Sequence, residues 1–302
     1  GRIVFCIGMT QLINWGITFY MPVAFGTAVM AETGWSAVVT FSGLTVAMLV
    51  MGLVSPLTGL FVARAGGRTM MMAGTICISG GCLLMALTHS AAMWISAWVL
   101  TGAGMRFALY DAAFALLVAM AGVHARRSIS LVTLLGGLAS AVFWPVGTAL
   151  LRITDWRHAV FIYAGAGLVS LLFLCAVPSD GRPALPVAGP SDAGEGRATE
   201  NRRMMISGLW YATLIALLSF VSTGVSTHFP QILAAYGMPA LTGMLWGAGQ
   251  VGARLLDVLS GARLCALRLN LIIGIALPIC FLTGLAGHFT PAATAVFVLC
   301  YG

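Results

Sequence analysis

A chain of 302 residues that is 60% hydrophobic and only 8% charged cannot cover a water-facing surface, since a soluble domain carries about 25% charged residues. Its mean hydropathy of +1.00 excludes soluble enzymes and indicates a polytopic membrane protein whose main partner is the lipid bilayer. The net charge of +7, carried by arginine without lysine, would suggest nucleic acid in a soluble protein; here the cytoplasmic edge of a membrane explains it, and no nucleic-acid partner is expected.

A helix needs about 20 mostly apolar residues to cross a bilayer. Charges, glycines and prolines divide the chain into spans at 3–30, 37–62, 70–87, 91–122, 129–151, 159–177, 204–235, 239–261 and 269–287, with a tenth starting at 291. The tenth is too short to cross before Gly302, and the chain does not start with Met. The sequence is therefore read as a fragment cut inside its tenth helix. The expected fold is all-α and membrane-integral: a six-helix bundle at 1–177, a cytoplasmic linker at 178–203, and an incomplete second bundle at 204–302. The linker holds four prolines, four glycines, four acids and four arginines, so it buries little and is expected to be mobile. No mature soluble domain follows the first span, which argues against a signal peptide. The seven cysteines show no CxxC pair and lie in apolar runs; they read as packing residues, with neither metal nor disulfide.

Arginine placement sets the orientation. With the N-terminus inside, Arg2, Arg64, Arg68, Arg126, Arg127, Arg182, Arg197, Arg202, Arg203, Arg263 and Arg268 fall in inner segments, and only Arg152 and Arg157 fall outside. The positive-inside rule then places the N-terminus in the cytoplasm.

The first span contains Gly16-Ile-Thr-Phe-Tyr-Met-Pro22, and the seventh contains Gly224-Val-Ser-Thr-His-Phe-Pro230. The match sits on the first helix of each half and makes Tyr20 the counterpart of His228. Parallel six-helix halves are a transporter signature, and Gly/Pro interruptions loosen backbone near a central cavity.

Four charges lie within spans: Arg106, Asp111, Arg254 and Asp257. Each costs about 2.5–3.5 kcal/mol at a helix centre, which disfavours unpaired placement against lipid. Arg254 and Asp257 are three residues apart and can pair locally, either as part of a moving charge network or as a static pair. Arg106 and Asp111 are five apart, about 140° round a continuous helix, so they are expected to face other helices and not each other. Asp111 is the candidate proton carrier, because desolvation raises a carboxylate pKa and a nearby arginine lowers it. Arg106 is the candidate for an anionic substrate group; the alternative is that it neutralises Asp257. Gln11, Asn14, Trp15, Thr18 and Tyr20 in the first span, and Ser222, Thr223, Ser226, Thr227, His228 and Gln231 in the seventh, either line a cavity or bond neighbouring helices. Gly104, Ala108 and Ala112 recur every fourth residue and read as a close-packing face, as do Gly243 and Gly247.

With this six-linker-six plan the chain resembles the major facilitator superfamily. The best local motif is Gly59-Leu-Phe-Val-Ala-Arg64-Ala-Gly66-Gly-Arg68, which is similar to that family's cytoplasmic gate signature. Gly59, Arg64, Gly66 and Arg68 match it, whereas Ala63 stands where the family has the Asp that helps latch the gate. Gly34-Trp35-Ser36, Leu109-Tyr110-Asp111-Ala-Ala-Phe114, Trp144-Pro145 and Gln250-Val-Gly-Ala-Arg254-Leu-Leu-Asp257 resemble a bacterial branch of monocarboxylate and oxalate/formate carriers. The resemblance implies a secondary transporter of the inner membrane working by alternating access as a single chain, without a cofactor. It implies a small organic anion moving with protons, and a pathway through Asn14, Trp15, Tyr20, Arg106, Tyr110, Asp111, His228, Gln250, Arg254 and Asp257. Efflux of an amphipathic drug-like compound, or a transporter-like sensor, are the alternatives. An enzyme or ATP-driven pump is not expected, since no HExxH, GxSxG or Walker A motif occurs.

Overall fold

The computed structural model describes residues 1–122, 125–179, 205–221, 224–225, 245, 248–249, 252–253, 266–286 and 291–301. Among the described residues, all regular structure is helical. The helices are α1 (Arg2–Thr18), α2 (Met21–Thr33), α3 (Ala37–Ala65), α4 (Gly67–Ala86), α5 (Ala91–Ala108), α6 (Tyr110–Ala121), α7 (Ala125–Gly137), α8 (Ala139–Ile153) and α9 (Trp156–Cys175). Three more follow: α10 (Met205–Val221), α11 (Ala266–Ala286) and α12 (Pro291–Tyr301). Gly1–Pro183 belongs to one compact unit and Cys265–Tyr301 to a second.

The first nine helices make six membrane-length segments, Arg2–Thr33, Ala37–Ala65, Gly67–Ala86, Ala91–Ala121, Ala125–Ile153 and Trp156–Cys175. Their positions agree with the first six expected spans. Three of them are interrupted. The first breaks at Phe19–Tyr20, where Pro22 in the opening turn of α2 has no N–H to give residue 18. The fourth breaks at Leu109, whose ψ of −163° is extended, and the fifth at Leu138, just past Gly136 and Gly137.

Local chemistry explains several of the other ends. Gly34 closes α2 at φ +69°, a left-handed conformation that glycine adopts without strain. Ser36 then caps α3, its hydroxyl accepting from the Val39 N–H at 3.3 Å. Ser90 caps α5 and Asp155 caps α9 in the same way. Gly66 alone separates α3 from α4, at φ +81° and ψ 158°.

The first unit packs around two apolar clusters. One holds Trp94, Trp98, Trp156, Tyr163 and Phe25; the other holds Ile7, Met70, Met71, Leu116 and Val132. Glycines allow backbones to touch between α4 and α5. A Cβ on Gly74 would lie 2.7 Å from the Gly104 carbonyl oxygen and the Ala108 nitrogen, and one on Gly104 would lie 2.6 Å from the Gly74 oxygen. The expected close-packing face is therefore present at Gly104 and Ala108; Ala112, beyond the break at Leu109, is buried in the second apolar cluster. The outward side of α3 exposes Leu49, Leu53, Leu57 and Leu60, a stripe suited to lipid and not to water.

The two ends of this bundle differ. At one, Arg68 Nη2 donates to the Cys175 carbonyl at 3.3 Å, tying the α3–α4 corner to the end of α9. At the other, Arg157 Nε donates to Glu32 at 2.7 Å. Its Nη1 donates to the Ala86 and Thr88 carbonyls, and its guanidinium lies 4.5 Å from the Trp156 ring centroid. In the second unit, Phe281 of α11 meets Phe297 and Tyr301 of α12, with centroids 5.7 and 5.9 Å apart.

Candidate functional site

The site forms where the fourth segment breaks. Leu109 ends α5 and its carbonyl starts α6, accepting from Ala112 and Ala113. The turn leaves the Ala108 carbonyl outside the helical ladder, and Gln11 of α1 answers it, Nε2 donating at 2.8 Å. A buried backbone acceptor requires such a partner, so α1 and the break in segment four are built together.

The break corrects the expectation that Arg106 and Asp111 would not meet. Arg106 Nη1 donates to Asp111 Oδ2. The angle of 140° applies only to an unbroken helix; the extended ψ at Leu109 resets the helical phase and brings the two side chains to one side. Arg106 Nε also donates to Thr58 Oγ1 of α3 at 3.2 Å. The Arg106 side chain is 21% exposed and that of Asp111 57%. Asp111 thus stands on the wall of the bundle, where it is paired with Arg106.

A run of aromatic rings passes through Tyr110, the residue before Asp111. Trp15 meets Phe19 at 5.4 Å and Tyr110 at 5.0 Å. Tyr110 stacks on Phe114 at 5.3 Å with 14° between planes, and Phe19 meets Tyr20 edge-on at 5.8 Å. All five are half-buried. Gly136 of α7 makes room for Tyr110, since a Cβ there would lie 2.4 Å from the phenol oxygen.

Asn14 is placed elsewhere, fully enclosed in the bundle. Its Nδ2 donates to Thr75 of α4 at 3.0 Å, and its Oδ1 accepts from Ser170 of α9 at 3.2 Å. Of its two sequence-based readings, the structure shows the bond to neighbouring helices. The gate-like segment forms the α3–α4 corner: Gly59 and Arg64 are exposed in α3, Gly66 makes the turn, and Arg68 holds α9. His228, Gln250, Arg254 and Asp257, with most of the second copy of the repeat, lie outside the described residues.

Sequence reasoning missed Thr58, the Asn14 partners Thr75 and Ser170, and the Arg157–Glu32 pair. A lone Thr or Ser in an apolar run carries no signal of its partner, whereas Glu32 and Arg157 at two expected outer ends could have been matched by charge.

Residues 3–302 match the family model described as Major Facilitator Superfamily. Among solved structures, the chain is similar to the proton:xylose symporter XylE bound to 6-bromo-6-deoxy-D-glucose. The TM-score is 0.74 at 14% identity, over 99% of this chain and 78% of that one. It is also similar to the human organic anion transporter MFSD10 (TETRAN), with a TM-score of 0.63 at 19% identity, over 99% of this chain and 84% of that one. No curated protein matches the chain. At these identities the likeness is one of fold.

Proposed function

Because the chain belongs to the major facilitator superfamily, it is a multi-pass membrane transporter of small molecules and not an enzyme, and we propose that it couples protons to a small organic anion. The observation that supports this reading is the Arg106–Asp111 pair held across the break at Leu109. Arg106 is the substrate ligand in this reading, because a guanidinium receives a carboxylate bidentately. Asp111 is the proton carrier. A proton on Asp111 removes the charge that holds Arg106, and an unpaired charge within a span costs about 2.5–3.5 kcal/mol. The substrate carboxylate replaces the missing partner, so proton and anion load together. Thr58 keeps its hold on Nε throughout and limits how far the guanidinium swings.

Two six-helix bundles joined at 178–203, alternating access by a single chain, a cytoplasmic N-terminus and a bacterial inner membrane complete the proposal. So does the role of the α3–α4 corner as the inner gate. The test is uptake of a labelled monocarboxylate into liposomes containing the full chain, with and without an inward proton gradient. Asp111→Asn is expected to abolish stimulation by the gradient while counterflow persists, and Arg106→Gln to raise KM at least about tenfold. Gradient-driven uptake that survives Asp111→Asn would make Asp111 a structural partner of Arg106 and remove the proton assignment.

A further inference from the structure

Helices α1 and α7 touch and then part. Leu135 of α7 sits on Gly8 of α1, where a Cβ would have no room. Toward the starts of both helices a groove of about 560 Å³ opens between them. On α7 it is lined by Arg127, Leu131 and Leu135, which recur every fourth residue and so share one face. Ser128 lies beside Arg127, and Val4 and Phe5 of α1 form the other wall. From Arg127 to Leu135 the groove runs about 12 Å along the helix axis. One end is cationic and polar, the other apolar.

The surroundings fit a membrane. Phe5 meets Phe173 of α9 edge-on, with ring centroids 6.4 Å apart, and beside Phe173 the surface of α9 exposes Val169 and Leu172. Such a surface is suited to acyl chains and not to water. The same contact puts the groove at the bundle end tied by Arg68 and Cys175. Arg127 is exposed there and has no carboxylate partner among the described residues. The three acids described in residues 1–179 are engaged elsewhere: Glu32 with Arg157, Asp111 with Arg106, and Asp155 with His158. A groove of leucines alone would take any lipid tail. An uncompensated guanidinium at one end adds a demand for negative charge.

We propose that the α1–α7 groove is a binding site for an anionic phospholipid, its phosphate received by Arg127 and Ser128 and the start of one acyl chain laid along Leu131 and Leu135. A guanidinium receives phosphate bidentately through charge-assisted bonds, and basic pockets between membrane helices hold anionic head groups. A zwitterionic lipid carries its own cation beside the phosphate and gains less from Arg127. The site shares no residue with the Arg106–Asp111 pair and stands whatever the chain transports.

The experiment melts purified full-length chain in detergent with increasing dioctanoyl phosphatidylglycerol, dioctanoyl phosphatidylcholine or inorganic phosphate. The two lipids share their tails and differ in head-group charge. A ligand of the folded state raises the melting temperature, and the concentration needed for a given rise scales with Kd. Phosphatidylglycerol is expected to act at a concentration at least about fivefold lower than phosphatidylcholine, the contribution of one arginine near the head groups. Inorganic phosphate is expected to have no effect at the same concentrations. Arg127→Gln is expected to bring the two lipids together, and Arg127→Lys to keep most of the preference. Arg126→Gln removes the same charge one residue away, about 100° round the helix and off the groove lining, and is expected to leave the preference in place. A preference lost as fully in Arg126→Gln as in Arg127→Gln would reduce the effect to the general charge of this end and overturn the site. Equal response to the two lipids in the unaltered chain would also overturn it. A response to inorganic phosphate matching that to phosphatidylglycerol would make the groove a free-anion site and remove the lipid. No response to either lipid would mean that protein fills the groove, and the proposal would fall.

Discussion

Asn14 joins three helices with one side chain. It donates from α1 to Thr75 on α4 and accepts from Ser170 on α9, and all three residues are fully buried. Asn14→Leu leaves two buried hydroxyls without a partner, at about 1–3 kcal/mol for each group stranded. The expected outcome is a lower melting temperature with KM for the transported anion unchanged; a raised KM with unchanged melting would return Asn14 to the substrate path. At this scale the sequence showed which residues were unusual but not whom they would meet. Arg106 and Asp111 were conspicuous as charges in apolar spans. Their pairing depends on one backbone angle at Leu109, and Leu is a good helix former. Thr58, which shares Arg106, is one hydroxyl in an apolar helix and nothing marks it in advance.

Helix ends were more legible, because their chemistry is local. Pro22, Gly34, Ser36 and Gly66 each bring a fixed backbone preference or a capping oxygen to the place where an element stops or starts. Asp155 does the same for α9 and makes that helix sensitive to acid. Its carboxylate accepts the His158 backbone N–H at 2.8 Å and meets the His158 ring nitrogen, and these bonds hold its pKa below the usual 3.8. A group whose folded pKa is lowered stabilises the fold above its unfolded pKa, and loses that contribution as pH falls through the folded value. Asp155→Ala is therefore expected to melt lower than the unaltered chain at neutral pH, the gap closing as pH falls below about 4. A gap of constant size down to pH ~2 would mean that the charge on Asp155 does not matter to the cap. The breaks at Leu109 and Leu138 were not legible: the first follows from how α1, through Gln11, accommodates the freed Ala108 carbonyl, a tertiary cause.

For the molecule as a whole, hydropathy and length sufficed to place the six segments of the first unit, because a bilayer permits only continuous apolar stretches of near-constant length. Arginine asymmetry adds a direction, and the two differing bundle ends offer a test of it. Arg64 belongs to the end held by Arg68 and Cys175, and Arg152 to the end held by Arg157 and Glu32; both are exposed. In a cysteine-free background, a membrane-impermeant maleimide applied to intact cells is expected to label Arg152→Cys and spare Arg64→Cys. The opposite pattern would invert the proposed orientation.

The break in segment four also turns one long dipole into two short ones. Arg106 lies in the last turn of α5 and Asp111 in the first turn of α6, so each side chain sits at the helix terminus whose partial charge attracts it, an effect of about 0.3–1 kcal/mol apiece. The backbone therefore gives the ion pair a polarity. Exchanging the two residues, as Arg106→Asp with Asp111→Arg, keeps the salt bridge but sets both charges against their helix ends. The double variant is expected to fold less stably than the unaltered chain and to fail in gradient-driven uptake; full rescue would mean that the pair acts by mutual attraction alone.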